Sequence, residues 1–233
     1  MSTSRRGRVA LATTAAALTV ALSGCGVTGT GFQPGVAAKV DDRTLSTDHV
    51  DELVGLYCDA IDEQLVGEGT VVPFGYLRSG VAGELTLKLA AEQLAEEYDV
   101  EPTADYDRAV ADIESQIADL SDEEQEAVLE VATASAYVAA VQIAVGETVL
   151  TDEGVADPAS DDAGQRGVEV FNQWLDDHEV VFNPEYGVTL KEGALATDDT
   201  EVSFPVGEIA KQGRAEQPDP AYAKSLPESQ RCG

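Results

Sequence analysis

The stretch Ser121–Val145, SDEEQEAVLEVATASAYVAAVQIAV, decides the fold. Ser121 followed three residues later by Glu124 is a capping box, the reciprocal pairing that satisfies the free N–H groups at a helix start. The pattern predicts one long helix over about 122–148. It begins acidic and becomes almost wholly apolar from Val131 to Val145. A helix apolar on most of its faces belongs at the centre of a packed body.

The flanking chain reads as further helices around that centre. Upstream, Thr47 is expected to cap a helix with Asp48 in its first turn. Val50, Leu53, Val54, Tyr57, Ile61 and Leu65 then recur at helical spacing over 48–65, with Cys58 on the edge of that stripe. Gly67 to Pro73 reads as a loop. A second helix is expected over about 79–98, with Val81, Leu85, Leu89 and Leu94 inward and Glu84, Glu92, Glu96 and Glu97 outward. Pro102 breaks the chain and Thr103 caps a helix running to about Leu120. Downstream, Thr151 to Gly164 is an acidic loop. A helix over 165–178 turns Val168, Phe171, Leu175 and Trp174 inward.

Short extended pieces lie near both ends of this helical part. Val36–Leu45 reads as two short strands around a turn at Asp41-Asp42, and Glu179–Phe182 as one more, closed by Asn183-Pro184 and the Tyr186-Gly187 turn. Residues 188–210 are weakly patterned. Residues 212–227, with Pro218, Pro220 and Pro227, read as an extended tail. The fold class is therefore mainly α: about five helices, with short extended segments near both ends that pair.

The composition narrows the function. The 233 residues are 43% hydrophobic and 25% charged, ordinary values for a folded chain. The sign of the charge is not ordinary: 44 Asp and Glu oppose 14 Lys and Arg, for a net charge of −30. Nucleic acid is excluded as a partner, because that binding is built on neutralising phosphates with cations. Direct adsorption to anionic lipid is disfavoured for the same reason.

The N-terminus gives an address. Arg5, Arg6 and Arg8 precede an uncharged, mainly Val, Ala and Leu stretch over 9–22. This is the layout of a secretory leader. The stretch is too short for a membrane-spanning helix, which needs roughly 20 apolar residues. No later stretch is expected to qualify; Val131 to Val145 is the nearest and includes Gln142. Leu22-Ser23-Gly24-Cys25 resembles the bacterial lipobox at all four positions. That resemblance implies cleavage before Cys25 and a diacylglycerol on its thiol, hence a protein lipid-anchored on the extracytoplasmic face of the cell membrane. Ser4-Arg5-Arg6 hints at a twin-arginine signal, but the residues after it match poorly. Residues 26–37 read as a flexible tether.

Lipidation of Cys25 leaves Cys58 and Cys232. An even pair outside the cytoplasm suggests a disulfide joining the first helix to the end of the chain. Closing so long a loop would contribute about 4–5 kcal/mol on a chain-entropy argument. The alternative is two free thiols, Cys58 buried and Cys232 in a frayed tail.

Three motifs in order point to a family. Ala38-Lys39-Val40-Asp41-Asp42-Arg43-Thr44-Leu45-Ser46 leads into the first helix, Glu101-Pro102-Thr103 starts a later one, and Asn183-Pro184-Glu185-Tyr186-Gly187 follows the last. Over roughly residues 36–190 this resembles the N-terminal, non-isomerase region of the SurA and PrsA foldases. Asp42 stands where Gly is usual, and Glu185 where the family has a basic residue. The resemblance implies a chaperone-like body whose partners are unfolded secreted or envelope proteins. The stretch after Gly187 is too short for an isomerase domain of about a hundred residues. The domain organisation expected is a leader over 1–24, a lipidated Cys25 and tether over 25–37, a helical domain over 38–190, and a C-terminal extended tail over 191–233 packing back on it.

Catalytic chemistry has no support in the sequence. The two histidines, His49 and His178, stand at helix ends. No catalytic residue, metal site or cofactor is expected. Asp152-Glu153, Asp157, Asp161-Asp162 and Asp198-Asp199 lack calcium-loop spacing and read as solvated acids. Apolar candidates for binding are Val71, Val72, Phe74 and Tyr76 after the first helix, and Phe204-Pro205-Val206 near the tail. A single Met and 6% aromatic residues count against a promiscuous binder. The expectation is a non-enzymatic chaperone or assembly factor; the alternative is an envelope ligand-binding or complex-subunit lipoprotein.

Overall fold

The computed structural model describes residues 34–197, 207, 211–213, 215 and 217–233. The leader, Cys25 with most of the tether, Asp198-Asp199 and Phe204-Pro205-Val206 lie outside the described residues.

The fold is mainly α. Strands β1 (Val36–Val40) and β2 (Arg43–Ser46) lead into α1 (Thr47–Glu68); β3 (Val72–Pro73) leads into α2 (Phe74–Tyr98). Then follow α3 (Ala104–Gln116), α4 (Asp122–Ala132), α5 (Ala134–Asp152) and α6 (Ser160–Asp177). Strand β4 (Val180–Phe182), the hairpin β5 (Val188–Lys191) and β6 (Ala194–Thr197), the short helix α7 (Pro220–Ser225) and β7 (Arg231–Cys232) complete the described chain.

Helix α5 packs against both α2 and α6, and α1 packs against α4. One core gathers Val40, Leu94, Val141, Val145, Phe171 and Trp174. A second gathers Val50, Leu53, Val54, Val81, Leu85 and Tyr186. The α5–α6 seam is the tightest contact. A Cβ on Gly146 would fall 2.7 Å from Ala163 C and 2.8 Å from Gly167 N, and one on Gly167 would fall 3.0 Å from Gln142 Cα. Only glycine lets two helix backbones approach that closely.

The terminal segments pair. Strand β1 lies between β2 and β4, antiparallel to both, with Ala38 opposite Phe182 and Val40 opposite Val180. Asp41, at a left-handed φ of 50°, fastens the end of that ladder: its N–H donates to Glu179 O (2.9 Å), and its Oδ1 accepts from Glu179 N (3.0 Å). The salt bridge Lys39–Glu179 (2.6 Å) spans the same two strands.

Several expectations are corrected. The helix over 122–148 is two helices bent at Thr133. That residue is buried, and its Oγ1 donates to Leu129 O (2.7 Å), which already accepts from the Thr133 N–H (3.0 Å). Thr133 takes φ −97° and ψ −4°, away from helical values, and there the two helices part. The bend lets α4 lie on α1 while α5 runs between α2 and α6. Helix α5 extends to Asp152 and is, among the described residues, the one helix long and apolar enough to cross a membrane; here it forms the core of the body. The α1 cap is Ser46, not Thr47: its Oγ accepts from His49 N (3.1 Å). Cys58, on the edge of the α1 stripe, is buried. Helix α2 begins at Phe74, five residues before the expected Ser79, because Pro73 in an extended conformation serves as its N-cap.

Thr103 does stand at the α3 N-cap, but its Oγ1 is buried without a hydrogen-bond partner, and α3 ends at Gln116 instead of Leu120. Helix α6 starts at Ser160, which shortens the acidic loop, and Val168 faces outward at 42% exposure. Strand β1 starts at Val36, inside the expected tether, and β5 crosses the expected boundary at 190. The region after it is not simply extended: it holds β6 and the helix α7.

Candidate functional site

The first turns of α2 combine two demands. Phe74 and Leu77 turn toward the body and pack on the second core and on the small cluster around Cys58. Gly75, Ser79 and Gly80 offer no large side chain on the opposite side, so the helix backbone itself forms a floor. Tyr76, 46% exposed, stands beside it.

This floor belongs to a half-open groove of about 740 Å³. One wall is Tyr186-Gly187-Val188 with Leu195 to Thr197 of β6; another is formed by Gly213, Ala215 and Gln217. Ser79 ties floor to wall. Its Oγ lies 2.9 Å from Gly75 O and 2.5 Å from Tyr186 O, so one hydroxyl proton serves two carbonyls. Arg78 pairs with Asp51 (2.6 Å) and Glu185 (3.6 Å), and its guanidinium lies 5.2 Å from the centre of the Tyr186 ring. These contacts fix the Pro184–Tyr186 turn against α1 and α2.

Tyr186 is itself 3% exposed, and its phenol oxygen has no hydrogen-bond partner. Burial pushes that phenol up to about 12, with Arg78 pulling the other way. Further along α2, burial also pushes the Glu84 carboxyl up. Beneath the groove Leu195 occupies the space a Cβ on Gly83 would need, 2.7 Å from its Cδ1.

The sequence candidates fall in different places. Tyr76 lines the groove; Phe74 and Val72 are half-buried beside it, and Val71 is half-buried in the short connection. Cys58 and Cys232 are joined, with their Cα atoms 5.7 Å apart. His49 Nε2 lies 2.8 Å from Glu130 Oε1 at the start of α1. His178 closes α6, stacked on Trp174 at 3.8 Å between ring centres; its Nδ1 donates to Trp174 O (2.7 Å), and its Nε2 lies 3.9 Å from Asp41 Oδ2. Neither histidine lines the groove. Of the acidic pairs, Glu153 is bridged to Arg166 (2.8 Å), and Asp161 edges a shallower hollow of about 580 Å³ between α5 and α6. Among the described residues no group of three His, Cys, Asp or Glu side chains is placed to hold a metal ion.

The β5–β6 wall was not foreseen. It is a two-residue hairpin with Lys191 opposite Ala194, and both loop residues have positive φ, Glu192 at 53° and Gly193 at 75°. Asn-Gly or Asp-Gly is the usual signal for such a turn; Glu-Gly is a weaker one. Searches against family models, curated proteins and solved structures find no match to this chain.

Proposed function

We propose that the chain is a membrane-tethered extracytoplasmic lipoprotein that acts as a chaperone or assembly factor for secreted or envelope proteins. It would work by holding an extended polypeptide segment in the α2 groove, without catalysis. The observation that carries this reading is the groove's construction. It is half-open, floored by bare helix backbone at Gly75, Ser79 and Gly80, and flanked by the exposed Tyr76. Such a surface offers apolar contact and backbone polar groups without demanding a particular side chain from its occupant. The lipobox-like Leu22-Ser23-Gly24-Cys25 and the SurA- and PrsA-like motif order support the setting and the role. The acidic balance favours a body that stays clear of anionic headgroups.

A second reading has one observation in its favour. A volume of about 740 Å³ lies within the roughly 300–1,000 Å³ of small-molecule sites, so an envelope ligand-binding or complex-subunit protein would use the same groove.

The test is suppression of aggregation. Purified mature protein at a stoichiometric ratio should slow light-scattering growth of an unfolded secreted client, and Gly80→Leu should abolish the effect. A Cβ at Gly80 meets nothing within 4 Å, so the substitution fills the groove without breaking the helix. Absence of protection across several clients would sink the reading.

A further inference from the structure

The outer side of the α5–α6 pair is shaped to take a third helix. Helix α5 carries no charged residue from Ala134 to Gly146, in a chain that is 25% charged. A helix at the surface of a folded body normally turns charge outward. Here Ser135 and Ala139 are exposed, Ile143 is half-buried, and only about a third of the helix is buried inside the body.

The hollow of about 580 Å³ opens on this side, between Ile143 of α5 and the first half of α6. Its α6 lining includes Asp161, Gly164, Gln165 and Val168, which stand at i, i+3, i+4 and i+7. Four residues so spaced form the hole that receives one side chain of a facing helix. Gly164 adds no side chain to fill it; a Cβ there would meet only Ile143 Cγ1, at 3.7 Å. Val168, 42% exposed, supplies apolar wall on the solvent side.

The rim sets the charge of the occupant. Asp161 and Glu169 edge the hollow, and Glu147 is exposed on α5 one turn beyond Ile143. Arg166 is the one cation on α6, and Glu153 and Glu169 already hold it, at 2.8 and 3.1 Å. A second copy of a chain with net charge −30 would set acids against acids, and an anionic lipid surface would do the same. Opposite charge across the contact is what steers association and rejects wrong partners.

From this arrangement we propose that the α5–α6 face docks an amphipathic helix of a partner protein. That helix presents an apolar side chain to the hole around Gly164 and Val168, and Lys or Arg to Glu147, Asp161 and Glu169. This is the helix-in-groove mode of recognition, with charge at its margin. The site is separate from the α2 groove and does not depend on the polypeptide-binding reading above.

The test is fluorescence anisotropy of a labelled synthetic amphipathic helix of Leu and Lys, about four turns long, with the oxidised mature chain at about 0.15 M salt. The peptide should bind, and a matched helix of Leu and Glu should not. Val168→Glu should weaken binding at least about tenfold. That substitution adds a charge the peptide's lysines would welcome, so the loss reports the filled hole and not the rim. Asp161→Lys should weaken binding about fivefold, chiefly through a slower association rate. Val66→Glu, at an exposed apolar residue of α1, should leave binding unchanged. Sedimentation should give a monomer throughout. Full binding by Val168→Glu would overturn the proposal, since charge alone would then hold the peptide, or hold it elsewhere. Equal binding of the Leu and Glu helix would overturn the basic occupant. A parent chain that sediments as a dimer, with Val168→Glu a monomer, would give the face to a second copy instead.

Discussion

The α5–α6 seam supports a sharp prediction, because two glycines three residues apart on one helix should respond with opposite signs. In Gly167→Ala the new Cβ would lie 3.0 Å from Gln142 Cα and closer still to the Gln142 carbonyl. Carbon atoms rest about 3.5–4.0 Å apart, and the carbonyl belongs to helix backbone that cannot rotate aside, so the helices must part by roughly 1.5 Å. Overpacking of a core costs about 1–3 kcal/mol and sometimes more. Parting this seam also loosens Val141, Val145, Phe171 and Trp174, which share one core across it. Replacing Gly by Ala inside a helix returns about 1 kcal/mol. A clash on rigid backbone puts the cost at the top of that range, so the net loss should be about 2 kcal/mol.

Gly164→Ala is the control. Its Cβ would meet only Ile143 Cγ1, at an ordinary 3.7 Å. Here only the propensity term remains, and stability should rise by about 0.5–1 kcal/mol. Urea unfolding followed by circular dichroism, with the disulfide intact, separates the two. Gly167→Ala should lower the midpoint by about 1 M with an unchanged slope, and Gly164→Ala should raise it slightly. A Gly167→Ala protein as stable as the parent would refute the backbone-contact account of the seam. Equal losses at both positions would show that glycine matters there for some reason other than space.

Two further outcomes follow from single side chains. Burial holds the Tyr186 phenol at about 12 against about 10 in an unfolded chain, so the native state keeps its proton longer; stability is full below pH 10 and falls by about 2–3 kcal/mol as pH rises toward 12. Tyr186→Phe should remove that share of the alkaline loss, read as the change in urea midpoint between pH 9 and pH 11.5, and should cost little at neutral pH because the phenol oxygen has no partner to lose. Ser121→Ala should cost about 1 kcal/mol, since Ser121 Oγ accepts from Glu124 N (3.3 Å) and the Glu124 carboxylate accepts from Ser121 N (2.9 Å), and thermal melts should show the loss.

What the sequence revealed follows from the range of the forces involved. The capping box at Ser121 is decided within four residues, and it forms as expected. The apolar stripes of α1 and α2 are decided by which face is buried, and Val50, Leu53, Val81, Leu85 and Leu94 are all inside. The bend at Thr133 is hidden in the sequence because apolar periodicity continues across it and threonines at 86 and 148 bond back in the same way within unbroken helices. The groove was hidden for a different reason. Its floor is defined by what Gly75, Ser79 and Gly80 lack, and a smooth helix face becomes a site only when distant elements wall it. Val188 and Leu195 reach it from more than a hundred residues away. Val168 lies outside because helical spacing gives the width of an apolar stripe and not which edge of it a neighbour covers; Phe171, Trp174 and Leu175 are buried and Val168 is not.

The two long-range closures place the groove. The β1–β4 ladder ties residue 40 to residue 180, and the disulfide ties residue 58 to residue 232. Each shortens the loops available to the unfolded chain, and loop entropy rises only slowly with length, so both act on the whole body at once. They differ in how they can be undone. The ladder is reinforced by Asp41, Glu179 and Lys39 and by burial of Val40 and Phe182, so it opens only with the core. The second closure is one covalent bond over a short strand pair and a small apolar cluster. The groove lies against that second closure. Reduction therefore removes the second closure chemically, while the first, held by burial, is lost only by unfolding.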